Sequence, residues 1–401
     1  MSTVTDTVNS RSIIFASAHR FDADIRLGSS HLAREMAKRG WRVLFIEQPT
    51  SPFHLLNPSS ARVAASKLAG ALAGGIAGHA SGTSGVEVLN AVSLLPHVNA
   101  PLLRSAFTLE HWRASTLPPL SRAISSRGFD RAAALVFDSP FYHPLVSALA
   151  IPGVYRYADR MSKFAGVTQA MLDMQERVIR EAALVIYTAD ALAADLAQRS
   201  GPVLNLPNGV DLEPYLVTQD EPAPLAPLPR PRVVYSGAFE AWFDAELVAE
   251  AAQRMPGVQF VLIGDAAALR HRFSNLPNIH MTGRIPHEQV APFLQHCDVG
   301  IIPFRRDGDN GLVEAINPLK LYEYCAAGLP VVAYRSPEFD RLEAPVIGYD
   351  TLDGFVAGME RALADAAHDA VRTNQRIWAA EHSWSGRAAA LDEAIKSILD
   401  A

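Results

Sequence analysis

Short apolar runs alternate with amphipathic stretches along the first 210 residues. The first run, 12–17, is followed by a helical pattern at 29–39 and by a second apolar run at 42–47. A strand, a helix and a strand within about forty residues predict a βαβ unit with two parallel strands in one sheet. Further apolar runs occur at 133–137, 153–157, 183–187 and 203–206. The N-terminal half is therefore predicted to be an α/β domain with a parallel sheet.

The same alternation returns after residue 231. The predicted strands and helices there are 232–236, 242–254, 259–263, 279–281, 287–295, 299–303, 319–327 and 330–333. Between the two halves, residues 211–231 hold six prolines, a density that neither a helix nor a central strand tolerates. We interpret this segment as a linker between an N-terminal domain, 1–210, and a C-terminal domain, 232–375. Ligands of such sheets bind at the carboxyl ends of the strands, in a cleft.

The end of the chain is predicted to return to the first domain. Residues 376–401 have a helical pattern, and we expect them to pack back on the N-terminal domain. Trp378 and Trp384 are the expected anchors of that last helix. Both tryptophans are assigned a packing role rather than a place in a binding site.

The stretch 51–129 breaks the alternation. It contains the small, Gly-rich segment 64–80 and has six basic residues against two acidic ones, although the whole chain has a formal net charge of -6. Basic residues beside apolar positions such as Phe53, Phe107 and Trp112 suit anionic lipid headgroups, where each Lys or Arg contributes about 1 kcal/mol. The alternative is an insertion whose charges are merely solvated. We favour contact with a membrane surface.

Composition narrows the classes of function. The chain of 401 residues is 19% charged, with 36 Lys+Arg against 42 Asp+Glu, which argues against a protein that mainly binds nucleic acid. Cys297 and Cys325 have no partner at metal-ligand spacing and are expected to be buried, reduced thiols. The first ten residues show no secretory pattern, and no apolar run approaches the roughly 18–20 residues that span a bilayer. We therefore expect a cytoplasmic protein.

The most informative run is 316–333. Pro318 suits the first turn of a helix and Gly328 its end. The N-terminus of a helix gathers unpaired N–H groups and partial positive charge, which favours a diphosphate, and Lys320 adds a full charge there. Glu323 lies three residues further on the same face and could accept hydrogen bonds from ribose hydroxyls. From the residues alone, Lys320 and Glu323 could also be a solvated helix pair.

This run also carries a family resemblance. Asn317-Pro-Leu-Lys-Leu-Tyr-Glu-Tyr, followed by Ala-Ala-Gly-Leu-Pro-Val-Val, resembles the nucleotide-sugar motif of GT-B glycosyltransferases of the group 1 superfamily. Further marks of that family are 206–211, 235–238, 260–264, 280–284 and 298–304. The resemblance covers most of 12–385. It implies an α/β GT-B fold, in which two Rossmann-like domains face each other across a cleft.

The resemblance also implies how a nucleotide-diphosphate sugar, expected to be a UDP-sugar, is held by the C-terminal domain. Lys320 would neutralise the diphosphate and Glu323 would hold the ribose. The other residues implied in donor binding are Gly237, Phe239, Glu240, Arg284, Phe304, Arg305, Asn317 and Leu319. A guanidinium at Arg305 would suit a uronic acid carboxylate, although Arg305 and Arg306 could equally be solvated loop residues.

The stereochemical course depends on the carboxylates. Many retaining members have two glutamates eight positions apart, but Ala315 stands eight before Glu323, and Glu314 is one position off. That departure leaves room for an inverting mechanism. It also keeps open a retaining transferase that acts on a soluble acceptor.

The N-terminal half resembles the xanthan glucuronosyltransferase group at 18–26 and 155–162. Those polysaccharide enzymes are inverting and act on lipid-linked oligosaccharides at the inner face of the membrane. Their general base is an aspartate after this strand, which matches Asp159, and an inverting transfer needs such a carboxylate to take the proton of the acceptor hydroxyl. The alternatives are that Asp159 caps a helix beside Arg160, or that His19 is the base.

No catalytic metal or other cofactor is expected. Asp22-Ala-Asp24 and Asp307-Gly-Asp309 fit the DxD pattern of metal-dependent glycosyltransferases, but a three-residue pattern is weak. Lys320 and the helix terminus can neutralise the leaving group instead. The residues expected on the acceptor side, where they could meet a lipid diphosphate or an acidic sugar, are His19, Arg20, Asp22, Asp24 and Arg26.

The resulting hypothesis is a glycosyltransferase peripherally associated with the inner face of the plasma membrane. It would move a sugar, for which glucuronic acid is a candidate, from a UDP-sugar to a lipid-linked oligosaccharide in surface polysaccharide biosynthesis. Its expected partners are the donor, the lipid-linked glycan and anionic lipid, with no nucleic acid. The rivals are a GT-B epimerase or phosphorylase, and a nucleotide-sugar-binding protein without catalytic activity.

Overall fold

The N-terminal lobe is built on a mostly parallel sheet. The computed structural model describes residues 11–23, 26–56, 64–65, 68–69, 78–80, 85–164, 166–305 and 311–400. The strands of this lobe are β1 Ser12–Ser17, β2 Arg42–Glu47, β3 Gly78–Ala80, β4 Val86–Leu89, β5 Val92–Ser93, β6 Thr116–Leu117, β7 Leu135–Phe137, β8 Gly153–Tyr157, β9 Leu184–Tyr187 and β10 Val203–Asn205. Eight of them form a sheet in the order β10-β9-β8-β7-β1-β2-β4-β3, in which only β3 is antiparallel to its neighbour among the described strands. Strands β5 and β6 pair separately.

Helices cover both faces of this sheet. They are α1 Gly28–Lys38, α2 Ala106–His111, α3 Leu120–Ser125, α4 His143–Leu149 and α5 Gln169–Glu181. Along β1, Ile13 and Phe15 pack into one apolar cluster, whereas Ile14 and Ala16 pack into the cluster on the opposite face. Burial on both faces explains why the strands are continuous apolar runs rather than alternating ones.

The C-terminal lobe repeats this architecture. Its strands are β11 Arg232–Ser236, β12 Gln259–Ile263, β13 Ile279–Gly283, β14 Val299–Ile302, β15 Val331–Tyr334 and β16 Val346–Tyr349. They form a parallel sheet in the order β13-β12-β11-β14-β15-β16. Its helices are α6 Ala245–Arg254, α7 Arg270–Phe273, α8 Val290–Gln295, α9 Leu319–Ala327, α10 Pro337–Arg341, α11 Leu352–Asp365 and α12 Asp369–Glu381. The predicted class, two α/β domains with parallel sheets, is confirmed.

The last helix, α13 Trp384–Leu399, crosses back to the N-terminal lobe. Trp384 belongs to the same apolar cluster as β1, and Asp392 accepts hydrogen bonds from Arg39 and from Trp41, each at 3.2 Å. Trp378 behaves differently, because it stacks on Tyr322 inside the C-terminal lobe at a ring distance of 5.3 Å. The expectation that Trp378 anchors the last helix on the first domain is therefore wrong.

Part of the stretch 51–129 belongs to the core of the N-terminal lobe. Trp112 is fully buried, stacks on Phe141 at 4.2 Å, and donates its indole N–H to the Phe141 carbonyl at 2.8 Å. Its assignment to a lipid-facing surface is therefore wrong, because a buried indole needs this internal partner. Phe53 and Phe107 remain exposed, at 46% and 65%. No helix in the described part of the chain is both long and apolar enough to cross a membrane.

Candidate active site between the two lobes

The carboxyl ends of the two parallel sheets meet at a cleft. Arg160, just after β8, lies 3.4 Å from the position a Cβ would take on Gly311 of the C-terminal lobe. The rings of Phe164 and Trp242 approach to 6.4 Å across the same boundary. Side chains at these strand ends therefore share one solvent space, as expected for open α/β sheets.

Asp159 lies two residues beyond β8 and is solvent-exposed within this cleft. The surrounding protein raises the pKa of its carboxyl group by desolvation, while the nearby charges of Arg156 and His19 oppose that rise. Its neighbour Arg160 pairs instead with Asp195, at 2.9 Å. No hydrogen bond or ion pair within the described residues occupies the Asp159 carboxylate.

The helix-cap alternative for Asp159 does not describe this structure. The short 3-10 segment that follows, Met161–Lys163, is capped by Arg160 and has no side-chain hydrogen bond at its cap. A carboxylate that is neither a cap nor half of an ion pair remains available for proton transfer.

The loop after β1 brings His19 and Arg20 to the cleft, where both side chains are exposed. Asp138, at the end of β7, anchors this loop by accepting hydrogen bonds from Ser17 Oγ at 2.6 Å and from the Ala18 N–H at 3.2 Å. Ser29, at the start of α1, donates to the same carboxylate at 2.8 Å. Sequence reasoning missed this anchoring role of Asp138, although its place directly after an apolar strand was the available signal.

The other expected acceptor residues are already paired or undescribed. Asp22 accepts a hydrogen bond from Arg34 at 2.6 Å, and Arg26 forms an ion pair with Glu288 of the opposite lobe. Asp22 therefore fixes the loop to α1, whereas Arg26 links the lobes and lines the cavity between them. Residues Asp24, Arg306, Asp307 and Asp309 lie outside the described residues.

Lys320 lies in the first turn of α9 and points at the end of β11. Its ammonium is 3.4 Å from the Tyr235 hydroxyl, 4.6 Å from the Tyr235 ring centre and 5.5 Å from that of Phe304. Gly237 faces it, because a Cβ at this glycine would come within 3.1 Å of Lys320 Nζ. The N-cap residue, Pro318, makes no side-chain cap hydrogen bond, so the helix N–H groups here are left for a ligand.

Glu323 shares this helix but does not form an ion pair with Lys320. Burial is the main cause in both cases: it raises the pKa of Glu323 to about 7 and lowers the pKa of Lys320 to about 8, while the charge of each opposes the shift of the other. The side chain of Glu323 is only 17% exposed. This geometry does not match a solvated helix pair.

The remaining expected donor residues fall into three groups. Phe239 packs against Tyr235 at 5.0 Å and Phe304 is buried beneath Lys320, so both form the apolar wall around the ammonium. Those on the open surface are Glu240, Arg284 and Arg305. Leu319 and Glu323 line a cavity of about 250 Å³ between the lobes, beside Arg26 and His287.

Asn317 is not on the open surface of the cleft. Its side-chain oxygen accepts hydrogen bonds from the Asn208 N–H and the Tyr322 hydroxyl, both at 2.9 Å, and its amide donates to Glu338 at 3.0 Å. The Asn208 side chain in turn accepts from buried Arg156 at 2.7 Å. Asn317 therefore joins the lobes in a buried network that sequence reasoning missed.

The fold defines the class of protein. The chain superimposes on sucrose-phosphate synthase from Thermosynechococcus elongatus with a TM-score of 0.71, at 16% identity, over 97% of this chain and 100% of that one. It superimposes on Anabaena HepE, solved in complex with UDP-glucose, with a TM-score of 0.61, at 16% identity, over 96% of this chain and 99% of that one. The architecture is thus that of the GT-B glycosyltransferases.

The C-terminal lobe also has sequence similarity to known proteins. Residues 230–372 match the family model for glycosyl transferases group 1. The chain is 25% identical over 244 residues to TuaH of Bacillus subtilis (strain 168), a protein assigned as a teichuronic acid biosynthesis glycosyltransferase. That match spans 55% of this chain and 60% of TuaH.

Proposed function

We propose that this protein is an inverting glycosyltransferase that moves a sugar from a UDP-sugar to a lipid-linked glycan during surface polysaccharide assembly. The observation that carries the proposal is the half-buried Lys320 at a helix N-terminus without a side-chain cap, across the cleft from the unpaired carboxylate of Asp159. The structural similarity to HepE, which was solved with UDP and glucose, supports a UDP-sugar donor. The sequence similarity to TuaH supports a role in polysaccharide assembly.

Donor binding follows from the electrostatics of α9. A diphosphate at the helix N-terminus would accept hydrogen bonds from backbone N–H groups and from Lys320, and its negative charge would compensate the buried ammonium. Glu323, one turn further, would accept hydrogen bonds from ribose hydroxyls. Neutralisation of the leaving UDP by Lys320 makes a catalytic metal unnecessary in this proposal.

The transfer would use Asp159 as general base. The acceptor hydroxyl oxygen attacks the anomeric carbon, its proton passes to the Asp159 carboxylate, and the bond between that carbon and the diphosphate oxygen breaks to release UDP. A raised pKa improves a carboxylate as a base, because it brings the proton affinity nearer to that needed at neutral pH. His19 is the rival base, since it is exposed beside Asp159.

We also propose that the acceptor arrives from a membrane surface on the N-terminal lobe. Exposed apolar side chains cluster around β5 and α2, and they are Phe53, Leu55, Leu94, Leu95, Leu102 and Phe107. Exposed Arg104 and Arg113 lie beside them. Apolar side chains flanked by guanidinium groups suit the boundary of an anionic bilayer.

Transfer assays test the reaction. The protein is first screened with UDP-glucuronate, UDP-glucose and GDP-sugars by thermal shift, and the stabilising donor is then supplied with lipid-linked acceptors. Asp159→Asn should keep donor binding and lose transfer, whereas Asp130→Asn, an exposed aspartate away from the cleft, should keep both. Full transfer by Asp159→Asn would refute the base assignment.

Separate measurements test the stereochemistry of transfer and whether the protein is an enzyme or a binding protein. Inversion at the anomeric carbon, read by NMR of the product, is expected, and retention would overturn the inverting mechanism. Donor binding without turnover on any acceptor would instead identify a nucleotide-sugar-binding protein.

Vesicle flotation tests the membrane proposal. The protein should float with vesicles that contain phosphatidylglycerol and not with neutral vesicles, and Arg104→Gln with Arg113→Gln should weaken flotation. Equal flotation of the parent with both kinds of vesicle would remove the electrostatic part of the proposal.

A further inference from the structure

Two imidazoles and a carboxylate meet at the junction of the lobes. His31 comes from α1, Asp211 from the start of the linker, and His287 from the 3-10 segment His287–Gln289 of the C-terminal lobe. One potential ligand atom from each lies within 4.8 Å of the others. None of the three belongs to the residues expected to bind the donor or to catalyse transfer.

The surroundings hold this cluster in place. His31 is 4% exposed, and its ring stacks on Trp384 at 5.0 Å with an angle of 6° between the planes. Its Nδ1 lies 2.9 Å from Asp211 Oδ2, and the His287 ring meets it edge-on at 5.5 Å. Fixed ring orientations reduce the entropy lost when a ligand is bound.

We propose that His31, Asp211 and His287 bind a divalent transition-metal ion of the zinc type. Neutral imidazole nitrogens and a carboxylate oxygen are ligands that such ions prefer, and three protein ligands leave at least one position open. Zinc bonds of about 2.0–2.1 Å bring tetrahedral ligand atoms to roughly 3.4 Å from one another, so small side-chain rotations are sufficient.

The open position would face the cavity between the lobes, which His31, Asp211 and His287 all line. Glu323 Oε1 is 3.9 Å from His287 Nδ1, so a carboxylate is within reach of that position. Because the ligands come from both lobes, the ion would tie the lobes together beside the donor site. The proposal stands apart from the glycosyltransferase proposal, in which Lys320 rather than a metal meets the diphosphate.

The test is direct metal binding to the full chain. Protein stripped with a chelator is titrated with zinc chloride by calorimetry, and cobalt(II) binding is followed by its visible absorption. We expect one equivalent of zinc, intense cobalt bands of a low-coordinate site with nitrogen ligands, and a higher melting temperature with zinc. Absence of stoichiometric binding would overturn the proposal and leave a hydrogen-bonded His31–Asp211 pair.

Variants identify the ligands. His287→Gln and Asp211→Asn should each weaken zinc binding at least tenfold and remove the thermal shift, whereas His271→Gln, an exposed histidine of α7, should change neither. Circular dichroism of each variant checks that it is folded. Tight zinc binding that survives both substitutions would place the ion elsewhere and refute this site.

Discussion

Replacing Lys320 by Met should stabilise the free protein and weaken donor binding. Burial lowers the pKa of this ammonium from 10.5 to about 8, so its charge is unfavourable in the folded state at pH 7. At 1.36 kcal/mol per pKa unit the full cost is roughly 3 kcal/mol. Partial exposure to solvent reduces the recoverable part to about 1–2 kcal/mol, or a melting temperature ~2–8 °C higher.

The same substitution, Lys320→Met, should lower the affinity for the donor. A hydrogen bond between the ammonium and a phosphate contributes about 1.5–3 kcal/mol, so UDP should bind Lys320→Met roughly 10- to 150-fold more weakly. Differential scanning fluorimetry without ligand measures the first effect, and calorimetric titration with UDP measures the second. Lys396→Met, at a surface ion pair of α13, is the matched control and should leave UDP binding unchanged.

The pH dependence of the stability difference provides an independent check. A lysine whose folded pKa is depressed destabilises the protein fully below about pH 8. The destabilisation disappears as pH rises towards the unfolded value of 10.5, because the amine is then neutral in both states. The stability advantage of Lys320→Met should therefore shrink between those values. A variant that is less stable than the parent and binds UDP equally well would refute the reasoning.

Three further predictions concern Glu323, Gly237 and Asn208. UDP affinity, measured by calorimetry, should fall as pH drops below about 7, because burial raises the pKa of Glu323 to that value and a protonated carboxyl is a poorer acceptor for ribose hydroxyls. Glu323→Gln should remove that dependence, and an unchanged slope would exclude Glu323 as its source. Gly237→Ala should weaken UDP binding about tenfold or more. The φ of 142° at Gly237 disfavours a side chain, and the new Cβ would lie only 3.1 Å from Lys320. Normal UDP affinity in this variant would mean that the turn does not contact the ligand. Asn208→Ala should lower the free energy of unfolding in urea by about 1–3 kcal/mol, because it leaves the buried Arg156 guanidinium without its acceptor, and a loss under 0.5 kcal/mol would show that water replaces the amide.

Most strands of the two sheets could be predicted, because strands such as β1, β11 and β14 are continuous apolar runs buried on both faces. Helix α9 was predicted with its observed bounds, 319–327, since Pro318 and Gly328 mark its ends locally. Strands β3, β4 and β16 and the helices α10 and α11 were missed, and the single helix predicted at 376–401 is divided between the end of α12 and α13. Strand β16 is a four-residue edge strand that contains Gly348, and a run this short with a glycine gives little periodic signal.

In the candidate site, too, some residues could be predicted from local sequence and others could not. Lys320 and Glu323 lie three residues apart on one helix, so local periodicity places them on one face. The partners of Asn317 could not be predicted from local periodicity, because Asn208 is 109 residues away and Glu338 lies on another helix. The contact with Glu338 depends on how two helices of the C-terminal lobe pack, and the contact with Asn208 depends on how the lobes dock. No local sequence pattern encodes either arrangement.

The network at Asn317 links the first turn of α9 to the N-terminal lobe. Asn317 directly precedes Pro318 and α9, and its backbone carbonyl accepts a hydrogen bond from the Asn208 amide at 2.6 Å. The first turn of α9, which carries Lys320, is therefore fixed by a residue of the opposite lobe. Glu338, on α10, accepts hydrogen bonds from the Asn317 side-chain amide at 3.0 Å and from the Asp190 N–H at 2.8 Å, which adds a second link between the lobes. If a diphosphate displaces the N-terminus of α9 when it binds, Asn208 and Asp190 would be displaced as well. Closure of the cleft and binding of the donor are therefore expected to occur together.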